Sequence, residues 1–79
     1  MNSNNKKSVL TPTILGLTET DHKILELTAL GFTRKEIAVE TNLSETVVDK
    51  LRTEMINKTH SKNTASLVSF AYKFGLLKI

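Results

Sequence analysis

Seventy-nine residues with a formal net charge of +3 leave room for one small domain. The absence of cysteine excludes a disulfide framework, and His22 and His60 lie too far apart, with no acidic partner at ligand spacing, to make a zinc set. No apolar run nears the roughly 20 residues of a membrane span. The lysines of MNSNNKKSVL precede no apolar leader segment, so the expected compartment is the cytoplasm, with no membrane partner.

Residues 1–16 are rich in Ser, Asn, Thr and Lys and end near a Pro and a Gly, which predicts a flexible tail ahead of a domain spanning 17–79. Lys6 and Lys7 make that tail a candidate arm for an anionic partner. Positive charge gathers again in the last third, where Lys58, Lys62, Lys73 and Lys78 meet no acid. That distribution fits either a solvated surface or a polyanion partner.

The predicted elements are four helices and no strand. The first, about 19–30, has Thr18 as N-cap with Asp21 three residues on, close to a capping box. Ile24, Leu25, Leu27 and Leu30 form its apolar stripe, and Gly31 supplies a left-handed stop. The second, about 34–41, has Thr33 and Glu36 as a capping box and Phe32 with Ile37 as a hydrophobic staple. Asn42 tolerates the left-handed turn that follows. The third, about 45–59, is capped by Ser44 and stapled by Leu43 and Val48. Val48, Leu51 or Arg52, Met55 and Thr59 face inward, and Thr46, Asp49, Lys50, Thr53 and Asn57 form a polar outer face. The fourth, about 64–74, stops at Gly75. One of its stripes (Leu67, Phe70 or Ala71, Phe74) suits the core. A second (Ala65, Val68, Tyr72) needs a partner or a cover from Leu76, Leu77 and Ile79.

This order resembles the LuxR/GerE (FixJ/NarL) type of helix-turn-helix domain, and the match is at residue level. LTETDHKIL at 17–25, ALGFTRKEIA at 29–38, LSETVVDKL at 43–51, Met55 with Lys58, and FGLL at 74–77 fall on the family pattern without a gap. The departures cluster in the third helix. The family's Thr-Val-Lys-x-His becomes Val47-Val48-Asp49-Lys50-Leu51, and its closing Lys-Leu-Gly becomes Lys58-Thr59-His60. Thr41 and Thr59 stand where apolar residues are usual, which predicts a thinner core with Leu51 turned inward.

The resemblance implies an all-α domain that binds double-stranded DNA with its third helix in the major groove. Carried over by position, Asp49, Lys50 and Thr53 fall at base edges. Thr33, Arg34, Lys35, Ser44, Thr46, Arg52 and Lys58 fall at phosphates. Helix N-termini, hydroxyls and lysines suit phosphate on chemical grounds too. The resemblance also implies a homodimer through the last helix, and the stripe of Ala65, Val68 and Tyr72 agrees with it. Ordinary readings stand beside these: Arg34 and Lys35 as a solvated helix start, Tyr72 as a half-buried tyrosine, His60 as a polar surface residue.

Asp49 is the anomaly. A carboxylate in the groove is repelled by phosphate, and its one good use is to accept from cytosine N4. The competing reading is local pairing with Lys50, Arg52 or Thr53, with no contact to a base. The charges of the third helix sum to zero, so weak sequence-independent affinity is expected. The leading expectation is a stand-alone transcription regulator. The alternative is an interaction module of the same fold that binds a larger regulator and has lost DNA binding. No nucleophile–base pair, Gly-rich phosphate loop or metal set is present, so no enzyme and no cofactor is expected.

Overall fold

The computed structural model describes residues 16–78. The chain forms α1 (Glu19–Ala29), α2 (Arg34–Thr41), α3 (Glu45–Lys58) and α4 (Thr64–Lys73), an all-α domain whose helix boundaries agree with the sequence reading to within one residue. Of the expected tail, residues 1–15, with Lys6 and Lys7, lie outside the described residues, as does Ile79.

Each helix begins on a side chain that accepts a hydrogen bond from the N–H three residues on: Thr18, Thr33, Ser44 and Asn63. Asp21 and Glu36 return the bond to the cap N–H at 3.0 and 2.8 Å, so both capping boxes are complete. Such a cap typically contributes about 1 kcal/mol. Asn63, the cap of α4, was not anticipated.

All four helices also end in one way. A residue with positive φ (Gly31, Asn42, His60, Gly75) follows the last turn. The next N–H then donates back five residues, Phe32 to Leu27, Leu43 to Ala38, Ser61 to Ile56 and Leu76 to Ala71, at 2.8–3.0 Å. This is the Schellman closure, which satisfies carbonyls the helix leaves open. Glycine fills two of the four positions at no steric cost. At the end of α3 the left-handed residue is His60, φ +56°.

Ile24, Leu25, Ile37, Val48, Met55, Leu67 and Ala71 are almost wholly buried and form one core. Each large one stabilises by about 1.5–3 kcal/mol. α1 packs on the other three helices, and α3 bridges α2 and α4. Leu51 packs partly buried against the core, as expected. Thr41 and Thr59 are half-buried and turn their hydroxyls to helix carbonyls, donating to Ile37 and Met55 at 2.7 and 2.9 Å.

Two expected core residues are not in the core. Leu30 is 72% exposed and Phe74 61% exposed. Successive steps of three residues each drift about 60° around a helix, so Leu30 has walked off the face that Ile24 and Leu27 share. Phe74 is excluded because the turn at Gly75 brings Leu76 and Leu77 into the core instead. Its ring leans on Phe70, centroids 4.5 Å apart. His22 Nε2 donates to the Leu76 carbonyl at 2.7 Å and ties this last turn to α1. Glu26, at 3.9 Å from His22 Nδ1, is an acidic neighbour that the sequence reading passed over.

Candidate nucleic-acid interface

The N-termini of α2 and α3 lie side by side. Arg34, the first residue of α2, donates from Nε to Glu45, the first residue of α3, at 3.1 Å. The caps Thr33 and Ser44 immediately precede these residues. Their hydroxyl oxygens accept from the Glu36 and Val47 N–H groups, both at 3.1 Å. Accepting uses a lone pair, so each O–H remains able to donate to a phosphate oxygen. Two helix N-termini with their positive dipole ends thus share one exposed edge.

From that edge α3 presents Thr46, Lys50, Thr53 and Asn57 exposed, with Asp49 partly so. Lys35 and Lys50 form no ion pair among the described residues. Lys58, at the far end of α3, is exposed, and its Nζ donates to the Gly16 carbonyl at 3.4 Å.

Asp49 is held by two arginines. Arg34 Nη1 donates to its Oδ2 at 2.6 Å, and Arg52 Nη2 donates to its Oδ1 at 3.2 Å. The hydrogen bond from Arg34 keeps the Asp49 carboxyl below the ordinary carboxylate range, and the same bond raises the Arg34 guanidinium above its usual value. The side chains of Arg34 and Asp49 are about half-exposed, so water and salt screen the pair, and its worth lies in position more than in stability. The local pairing expected with Arg52 is present. The stronger partner is Arg34, fifteen residues away, for which the sequence suggests a phosphate contact or a solvated helix start and not this pairing. Arg52 is mostly buried, its side chain 21% exposed, and its Nη2 is spent on Asp49.

The residues singled out for self-association sit apart from this edge, on α4. Ala65 and Tyr72 are exposed and Val68 is half-buried. Tyr72 lines a groove with Leu27, Leu30 and Leu76, so the displaced Leu30 extends the apolar surface that Tyr72 begins.

Comparison with known proteins shows the family of the chain. The model of the family described as bacterial regulatory proteins, luxR family, matches residues 15–71. The chain is also 38% identical over 64 residues to a probable transcriptional regulator, ycf29, of Porphyra purpurea. That match takes in 81% of this chain and 31% of the relative, so the chain spans about a third of that protein's length. No solved structure matches it. The chain belongs to the LuxR family of bacterial regulatory proteins.

Proposed function

We propose that this LuxR-family chain is a DNA-binding transcription regulator that lays α3 in the major groove. The contact between Arg34 and Glu45 carries the reading, because it sets two capped helix N-termini and their hydroxyls along one edge of an exposed polar helix. Thr33, Lys35, Ser44, Thr46 and Lys58 then reach phosphates, and Lys50 and Thr53 face base edges. No helix among the described residues is long and apolar enough to cross a membrane.

A homodimer through α4 is part of the same proposal. Ala65, Val68 and Tyr72, extended by Leu30, supply its apolar surface, and two-fold symmetry then sets half-sites about one helical turn apart.

The test is fluorescence anisotropy on a random-sequence duplex at about 50 and about 200 mM salt. Affinity should fall with salt, and Lys35→Ala should make the slope shallower by about one. No binding at low salt with tens of micromolar protein would overturn the reading. The exposed surface of Leu30 and Tyr72 would then point to an interaction module that binds a larger regulator.

A further inference from the structure

Arg34, Asp49 and Arg52 have a use beyond holding helices together. A bare carboxylate entering a groove meets phosphate on both sides, and the repulsion would exclude it. Here two guanidinium groups, at 2.6 and 3.2 Å, lie against the carboxylate. With Glu45 on the other edge of Arg34, the four side chains sum to zero charge. Each oxygen of Asp49 accepts one arginine N–H, one from α2 and one from the next turn of α3. A carboxylate has about four acceptor sites, so each oxygen keeps one. The side chain is 43% exposed, and each of its oxygens is held by a different arginine.

We infer that Arg34 and Arg52 are positioning residues that neutralise and aim Asp49, and that Asp49 is a specificity determinant selecting a C·G pair by accepting from cytosine N4. The inference rests on the reading of α3 as the groove helix. A carboxylate is the side-chain type that matches the N4 amino donor in the major groove, and it is repelled by the O6 and N7 acceptors of guanine. The same clamp has a second consequence. It offsets the charge of both arginines internally, which lowers sequence-independent attraction and gives the base contact more of the discrimination.

The test selects binding sites from a random duplex pool with wild type, Asp49→Asn, Arg34→Ala and Arg34→Lys, and measures each protein's salt slope on a random duplex. Circular dichroism confirms that all four are folded. Wild type should select cytosine at one position of each half-site by on the order of tenfold or more. Asp49→Asn should lose that preference, while its salt slope steepens by about one to two as the arginines are freed for phosphate. Arg34→Lys keeps the charge but loses the fork, so it should keep overall affinity better than Arg34→Ala and still blur the cytosine preference. If Asp49→Asn selects the same sites with the same slope, the clamp is only a tie between α2 and α3 and the inference is overturned, with DNA binding intact. If wild type selects no site and binds no duplex, the function proposed above fails and takes this inference with it.

Discussion

His60→Gly should stabilise the domain. The residue closes α3 at φ +56°, the one Schellman position filled by neither glycine nor asparagine. An L-residue with a Cβ costs roughly 1–2 kcal/mol in the left-handed region. Glycine removes that cost but gives the unfolded chain more freedom, worth roughly 0.5–1 kcal/mol in the other direction. The net gain is about 0.5–1 kcal/mol, which for a domain of this size raises Tm by about 3–6 °C. The His60 side chain is exposed, so little packing is lost with it. Gly31→Ala is the mirror experiment. A Cβ there meets nothing within 4 Å, so its effect is backbone strain alone, and it should lower Tm by a similar amount. Thermal melts followed by circular dichroism measure both. A neutral or destabilising His60→Gly would refute the argument, because it would mean that the left-handed turn costs the histidine nothing.

Two further outcomes separate stability from binding. Thr18→Ala and Thr33→Ala each remove an N-cap in a complete capping box and should each cost about 1 kcal/mol. Only Thr33→Ala should also weaken DNA binding in the anisotropy assay, and equal effects of the two on affinity would sink the assignment of Thr33 to phosphate. The Asp49 carboxyl, held low by Arg34, stabilises the fold above its unfolded pKa of about 4 and loses that contribution as pH falls through the lower folded value. The gap in Tm between wild type and Asp49→Asn should therefore narrow in acid, and a gap that is the same at pH 6 and pH 3 would contradict the pairing.

What could be read in the sequence is what is coded over three to five residues. Thr18 with Asp21 and Thr33 with Glu36 announce helix starts, and Gly31 and Gly75 announce stops, because caps depend on local geometry and little else. Asn63 carries no such signal, because it has no acid three residues on, so the sequence marks the boundary at Thr64 without its cap. The position of His60 was noticed as a departure from glycine, but only the backbone shows that it takes the glycine's conformation. Leu30 and Phe74 leave the core for separate reasons, yet they share a position. Both are the cap residue just before a left-handed turn, where a stripe counted by spacing no longer says which way the chain goes next. The pairing of Arg34 with Asp49 lies beyond any local rule, since it depends on how α2 crosses α3.

That pairing changes what the net charge means. A count of +3 suggests a mildly adhesive surface for DNA, yet two of the cations nearest α3 are occupied by its own acids. Lys35 and Lys50 remain beside the two helix N-termini. Phosphate contacts supply nearly all of sequence-independent affinity, and base contacts supply discrimination. With two arginine charges offset by acids of α3, wrong sites compete less strongly, and an aimed carboxylate then weighs more in where the protein rests. In a DNA-binding regulator the ratio of right to wrong binding matters more than either affinity alone. On this argument the acid that looks misplaced in α3 raises that ratio twice, by withdrawing two arginines from phosphate and by reading a base with the carboxylate they hold.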